Sequence, residues 1–192
     1  MTLYGWLIFP LWLTLVVYWS LSTAGAMRAI GRRWIWWREI AVRLGLFALF
    51  LLALQIAVLW HALPNAGLYR PNRSVAMGLL GFGLTAAGIA LTILSRAYLG
   101  RSWSLGAETR TIPELVTGGP YALVRHPLYS GLLLALLGSA IGQSIFWLLP
   151  MVVYGPLFIL NARREEKLLL EQLPDRYGAY MKRTKMLLPF VL

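Results

Sequence analysis

Residues 127–160, PLYSGLLLALLGSAIGQSIFWLLPMVVYGPLFIL, contain no Asp, Glu, Lys, Arg or His. The stretch is interrupted near Gly142-Gln143-Ser144, which leaves two apolar halves of about 17 residues, or roughly 25 Å of helix each. Because a membrane-spanning helix needs about 20 apolar residues, each half is marginal for a full crossing. The stretch therefore predicts a tight helical hairpin, tilted or partly re-entrant, with Pro150 and Pro156 kinking its second arm.

Three further apolar runs precede this hairpin, at residues 3–21, 40–63 and 75–94. The chain is 59% hydrophobic and only 13% charged, which is about half the charged share of a soluble domain. The predicted fold is therefore all-α, an integral membrane bundle of about five transmembrane helices followed by a cytoplasmic C-terminal helix at the membrane surface. Residues 1–74 would form a two-helix membrane scaffold and residues 75–192 the catalytic region of one membrane domain.

The run at residues 75–94 is rich in small residues, among them Gly78, Gly81, Gly83 and Gly88. Small residues at such spacings let helix backbones approach closely in lipid. We expect these glycines to serve helix packing; a cofactor-facing role for Gly81 and Gly83 is the alternative.

The distribution of basic residues predicts orientation. Five lie in residues 28–43, four in 95–125 and seven in the tail after residue 160, whereas the remaining loop holds only Arg70 and Arg73. A multi-pass protein with its N-terminus outside and its C-terminus and polar segments in the cytoplasm satisfies this bias. Tryptophans and arginines of residues 28–38 fit the lipid headgroup layer, and no signal peptide is expected because the first basic residue follows the first apolar run.

Composition also excludes several function classes. The net charge of +11 could indicate nucleic-acid binding, but its clusters lie between apolar runs, where lipid headgroups are expected. The chain has no Cys and two His, so neither a thiolate site nor a His-rich metal site is expected. Partners should be membrane lipid and a lipophilic or lipidated substrate, with no nucleic acid and no metal.

Polar residues flank both ends of the hairpin. Pro127 suits the first turn of a helix, so Arg125 and His126 stand just ahead of N–H groups that attract an anion. Glu165-Glu166 follow the second arm and must lie near the start of the first. These groups could bind a polar cofactor or could form a solvated Arg-Glu cluster that caps the helix; the residues alone leave both open.

Taken in order, several motifs resemble the isoprenylcysteine carboxyl methyltransferases and, more loosely, the related phospholipid methyltransferases. The motifs are Gly119-Pro120-Tyr121, Arg125-His126-Pro127-Leu128-Tyr129, Glu165-Glu166 and the segment DRYGAY at residues 175–180, with LGRSWS at residues 99–104 as a further similarity. The resemblance covers roughly residues 75–192. It implies S-adenosylmethionine-dependent methyl transfer at the cytoplasmic membrane surface, without a Rossmann fold.

The resemblance also implies a set of cofactor contacts: Pro113, Glu114, Leu115, Val116, Tyr121, His126, Pro127, Leu128, Tyr129 and Glu165. The chain departs from the family pattern at two positions, with Pro113 where His is usual and Asn161 where a substrate-associated Arg is frequent. Asn161 is therefore a weak candidate for substrate contact. We expect the methionine carboxylate near His126 and other polar cofactor groups near Glu165.

The predicted reaction is methyl transfer to a lipophilic acceptor, either a carboxylate of the isoprenylcysteine type or a thiol. Such acceptors are nucleophilic once ionised, so positioning of the reactants should be the main catalytic contribution. N-methylation of a phospholipid amine is an alternative, although the amine would first have to lose a proton. A non-enzymatic membrane protein, such as a small transporter subunit, is the alternative from another class, although ionisable residues are absent from the middles of the apolar runs.

Overall fold

The computed structural model describes residues 3–29, 74–100 and 115–188. The predicted apolar run at residues 40–63 and the loop at residues 101–114 lie outside this part of the chain. The described part is all-helical, with one isolated parallel bridge between Val124 and Lys185. Its helices are α1 (Leu3–Ala29), α2 (Val75–Leu99), α3 (Pro127–Gly142), α4 (Leu148–Gln172) and α5 (Pro174–Arg183), with short 3-10 helices at Gly119–Ala122 and Ile145–Trp147.

Length and hydropathy indicate a membrane protein. Among the described residues, Val75–Leu99 and Ile145–Gln172 are helical segments long and apolar enough to cross a bilayer, and Trp6–Ser22 and Pro127–Gly142 are shorter apolar helices. The α4 helix exposes large apolar side chains along its first half, as a lipid-facing surface would; they are Leu149, Val152, Val153, Leu157 and Leu160. The count of about five spans stays a prediction.

The closest helix packing is that of α2 against α3, and it depends on glycine. A Cβ on Gly81 would overlap the backbone of Gly142, and a Cβ on Gly88 would lie 2.5 Å from the carbonyl oxygen of Gly131. The predicted packing role is thus confirmed for Gly81 and Gly88, and the close approach leaves no room for a cofactor at Gly81. A Cβ on Gly83 would meet nothing within 4 Å.

Side-chain hydrogen bonds join α1 to this pair. Trp12 Nε1 donates to Ser139 Oγ at 3.0 Å, and the Trp12 ring stacks on Trp147 with ring centroids 5.6 Å apart. Trp147 Nε1 in turn donates to Gln143 Oε1 at 2.6 Å. The two indole N–H groups are therefore satisfied inside the bundle, where an unpaired donor would be costly.

The hairpin break occurs where the sequence predicts it. The α3 helix ends at Gly142, and Ser144 caps the short 3-10 helix that leads into α4. The second arm is longer than predicted, because α4 continues without interruption to Gln172. Pro150 lies in the first turn of α4, where its missing N–H costs nothing, so Pro156 is the proline in the helix interior, where one main-chain hydrogen bond is absent.

The tail predicted as one helix is divided at Leu173. Its first part continues α4, and its second part forms α5, whose buried Tyr177 and Tyr180 pack with Leu173 against Leu115 and Leu169. The apolar face of this amphipathic helix is thus covered by protein, and its location at the membrane surface stays a prediction. Its packing carries α5 to the region where α3 begins and α4 ends.

Candidate functional site

The start of α3 is shaped by the turn that precedes it. Gly119 has a φ of +58°, a conformation that favours glycine, and a Cβ there would overlap the ring of Tyr98. The turn buries Tyr121, whose hydroxyl donates to the carbonyl oxygen of Ser95 at 3.4 Å. Tyr180 of α5 donates to the carbonyl oxygen of Tyr121 at 2.6 Å, so the turn is held from both α2 and α5.

Glu166 forms a buried ion pair with Arg125. Arg125 Nε lies 2.6 Å from Glu166 Oε1, and both side chains are less than one tenth exposed. The guanidinium also donates through Nη1 to the carbonyl oxygens of Met181 and Thr184. Arg125 therefore joins the end of α4 to the segment after α5, and both its charge and that of Glu166 are compensated within the protein.

His126 lies between the two glutamates. Its Nε2 is 3.3 Å from Glu166 Oε1 and its Nδ1 is 3.5 Å from Glu165 Oε2. Burial alone would lower the pKa of the imidazole, but its contacts with the two carboxylates outweigh burial and raise the pKa above the ordinary value. The positive charge of His126 is thus favoured in a position that is only 7% exposed.

Glu165 differs from its neighbour because its side chain is 52% exposed. It accepts a hydrogen bond from the Tyr129 hydroxyl at 2.7 Å. The Tyr129 ring stacks on His126 on one side and on Phe158 on the other, with centroids 5.7 Å and 5.0 Å away. The structure therefore brings together His126, Tyr129 and Glu165, and leaves one carboxylate accessible from outside.

The other predicted contacts are distributed differently. Pro127 and Leu128 are buried, and the Leu128 carbonyl oxygen lies 3.5 Å from the Thr92 hydroxyl on α2, so these two residues anchor the helix start. Leu115 packs against the Leu173 cluster of α5, and Val116 is half-buried. Asn161 is exposed one helical turn before Glu165. Pro113 and Glu114 lie outside the described residues.

Several residues around the site were not singled out by sequence reasoning. Arg96, at the end of α2, is only 4% exposed and donates to the carbonyl oxygen of Gly100 at 3.0 Å. Burial raises the pKa of Tyr180 to about 12, so its hydroxyl stays protonated. The spacing of Tyr177 and Tyr180, three residues apart in a helix, is the signal that could have indicated a buried face. Nothing comparable marks Arg96.

Metal binding finds no support in the described ranges. They contain no group of three or more His, Cys, Asp or Glu side chains that could hold a metal ion. The chemistry that the site offers is an exposed carboxylate, a buried imidazole whose pKa is raised and a helix N-terminus, which together suit a ligand with both positive and negative groups.

Residues 76–176, more than half of the chain, match the sequence profile of the phospholipid methyltransferase family. The methanethiol S-methyltransferase of Pseudomonas sp. (strain GM41(2012)) is 30% identical over 198 residues, which cover 91% of this chain and 71% of that protein. The cobalt-zinc-cadmium resistance protein CzcN of Cupriavidus metallidurans is 33% identical over 99 residues, or 50% of this chain and 45% of that protein. Tyr121, His126, Tyr129 and Glu165 all lie within the matched segment.

Proposed function

Because the chain belongs to the phospholipid methyltransferase family, which includes the isoprenylcysteine carboxyl methyltransferases, we propose that it is a membrane methyltransferase that uses S-adenosylmethionine and methylates a thiol or a carboxylate. The observation that carries the proposal is the meeting of His126 and Glu165. His126 precedes α3 and Glu165 belongs to α4, and Glu165 presents a half-exposed carboxylate beside a buried imidazole whose pKa is raised.

The donor groups of the site fit the methyl donor. S-adenosylmethionine bears an ammonium group and ribose hydroxyls, which suit the exposed oxygens of Glu165, and a carboxylate, which suits His126 and the N-terminus of α3. When bound, it supplies a methyl group on a positively charged sulfur. Glu166 is unsuited to this contact because Arg125 and His126 already occupy its carboxylate.

The residues of this chain would promote the reaction by positioning the reactants and limiting water. Arg125 and Glu166 hold His126 in place, and this kind of preorganisation contributes up to several kcal/mol in well-oriented reactions. The Tyr129 ring stacks on Phe158 of α4 while its hydroxyl donates to Glu165, which places an apolar aromatic surface beside that carboxylate. An anionic acceptor loses charge as it reacts with a cationic donor, so an apolar surrounding assists the transfer.

A thiol is the first candidate for the acceptor. The relative that aligns with 91% of this chain is named for methylation of methanethiol, and a carboxylate follows from the resemblance to the isoprenylcysteine enzymes. A phospholipid amine is disfavoured, because it must lose a proton before attack. Both ring nitrogens of His126 already contact Glu165 and Glu166, so this imidazole is not free to take that proton.

The proposed topology has about five membrane spans, the N-terminus outside and the site in the cytoplasm. It rests on the bias of basic residues toward one side. In the described part, exposed Arg163, Arg164 and Lys167 follow the apolar half of α4 directly, which places positive charge where the helix would leave the bilayer.

Calorimetric titration of the detergent-purified protein with S-adenosylhomocysteine tests the donor assignment. The wild type should bind, and Glu165→Ala should weaken binding at least tenfold, about 1.4 kcal/mol. Glu171→Ala is the matched control, since Glu171 is an exposed acid on the same helix. A folded wild type that does not bind would remove the methyltransferase proposal.

The acceptor is tested by transfer of a labelled methyl group from S-adenosylmethionine. Methanethiol, longer alkyl thiols, lipophilic carboxylic acids and an amino-phospholipid would be offered at equal concentration. We expect methyl transfer to the thiols or, if the thiols are not methylated, to the carboxylic acids. Transfer to the phospholipid amine alone would contradict the proposed acceptor.

A further inference from the structure

Four consecutive main-chain carbonyl groups after α5 accept hydrogen bonds from residues at the start of α3. We call residues 184–187 the C-terminal strap. The main-chain N–H of Arg125 donates to the Lys185 carbonyl oxygen at 2.8 Å, and that of His126 donates to Met186 at 3.0 Å. The Arg125 guanidinium donates to the Thr184 carbonyl, and the Ser130 hydroxyl to that of Leu187.

The same contacts restrain the main chain on both sides of His126. Its N–H is held by the strap, while its carbonyl oxygen accepts from the Ser130 N–H and lies 3.1 Å from the Ser130 hydroxyl. Ser130 thus connects the carbonyl of His126 with the end of the strap. With φ at −125° and ψ at 60°, His126 is outside the helical conformation, so α3 alone does not determine where its ring lies.

We propose that the C-terminal strap and the Ser130 hydroxyl are positioning elements, which hold the imidazole of His126 between Glu165 and Glu166. The strap acts through the main-chain N–H groups of Arg125 and His126. It fixes the backbone that carries the ring. The inference rests on the proposed function only for the identity of the ligand that the positioned ring binds.

Ser130→Ala is the direct test, because it removes the hydroxyl and leaves the backbone N–H in place. Ser130→Thr restores a hydroxyl at the same point. Ser20→Ala is the matched control, since the Ser20 hydroxyl also bonds to a main-chain carbonyl, that of Val16 within the same helix α1. Arg125→Lys is a second variant, because one ammonium group cannot reach Glu166 and the Thr184 carbonyl together in the way the guanidinium does.

Two measurements follow for each variant. The first is the titration midpoint of His126 by NMR of imidazole-labelled protein, in which only two His signals occur and His126→Gln identifies the relevant one. The second is the affinity for S-adenosylhomocysteine. If these contacts serve only general stability, the titration midpoint of His126 in a folded variant will equal that of the wild type. If the ring is displaced, it loses its contacts with Glu165 and Glu166 and the midpoint changes.

We expect Ser130→Ala and Arg125→Lys to lower the His126 midpoint toward its ordinary value. Affinity should fall about fivefold, the equivalent of one hydrogen bond. Ser130→Thr should restore both quantities and Ser20→Ala should change neither. Unchanged His126 midpoints in both Ser130→Ala and Arg125→Lys, or an equal change of the midpoint in Ser20→Ala, would overturn the inference. A wild type that binds no S-adenosylhomocysteine would end the proposed function, and the midpoints would still decide the role of the strap.

Discussion

Glu166 Oε1 lies 2.6 Å from Arg125 Nε, and this buried contact separates two adjacent acids into different roles. The Glu166 side chain is 8% exposed and is enclosed by Arg125 and His126, whereas the Glu165 side chain is 52% exposed. A pair that the sequence presents as one motif therefore supplies one acid that is enclosed by the protein and one that stays accessible.

The two acids should give opposite phenotypes when each is replaced by Gln. Glu166→Gln leaves Arg125 and His126 without their buried counter-charge and should lower the free energy of unfolding by about 3 kcal/mol. Glu165→Gln should leave stability close to that of the wild type and weaken S-adenosylhomocysteine binding at least tenfold. Denaturant unfolding in detergent and calorimetry measure the two effects; the reverse pattern would contradict the assignment.

Stability should depend on pH through His126. Because the pKa of folded His126 is raised above 6.5, its contribution to stability is fully present below about pH 6.5 and is lost as the pH rises through the folded pKa. The difference in free energy of unfolding between wild type and His126→Gln should thus be largest near pH 6 and shrink as the pH rises through the folded pKa. A difference that grows with pH would show that the folded protein favours the neutral ring.

Helix packing should respond to a methyl group at Gly88 but not at Gly83. Gly88→Ala forces α2 away from Gly131 of α3 and should lower the free energy of unfolding by about 1–3 kcal/mol. Gly83→Ala places its methyl in open space and should be neutral or slightly stabilising, since Ala favours helix over Gly. Thermal unfolding of both variants in the same detergent compares them, and equal losses would contradict the close α2–α3 contact.

The hydroxyl of Tyr180 should contribute measurably to stability. Tyr180→Phe removes the hydrogen bond to the buried Tyr121 carbonyl group and should lower the free energy of unfolding by about 1–2 kcal/mol. Binding of S-adenosylhomocysteine should weaken only slightly, because the ring of residue 180 keeps its packing against Tyr177. No change in stability on substitution would mean that the carbonyl group finds another donor.

Local sequence signals predicted much of the structure of the hairpin formed by α3 and α4. The hairpin break at Gly142-Gln143-Ser144 and the start of α3 at Pro127 are confirmed, because small residues and proline act on the backbone nearby. The close helix approach at Gly88 was also predicted, because a residue without a side chain lets any neighbouring helix come near.

Tertiary contacts account for what the sequence left open. Glu165 and Glu166 carry the same chemical group, so no local pattern distinguishes them; their burial depends on how α4 is rotated against α3. The tail was predicted as one helix, but the structure divides it at Leu173, and the buried face of α5 packs against Leu169 and Leu115. The strap contacts involve main-chain carbonyl groups. Every residue possesses such a group, so no sequence pattern indicates which of them will form these contacts.

The sequence by itself determined an all-helical, strongly apolar chain with a polar site where the fourth predicted helix begins. It did so because hydropathy, proline and glycine act locally. Only the tertiary structure decided that Glu166 is enclosed with Arg125, that Glu165 stays accessible beside His126, and that residues 184–187 hold this arrangement. These outcomes depend on distances between residues far apart in the chain, which are set when the helices pack.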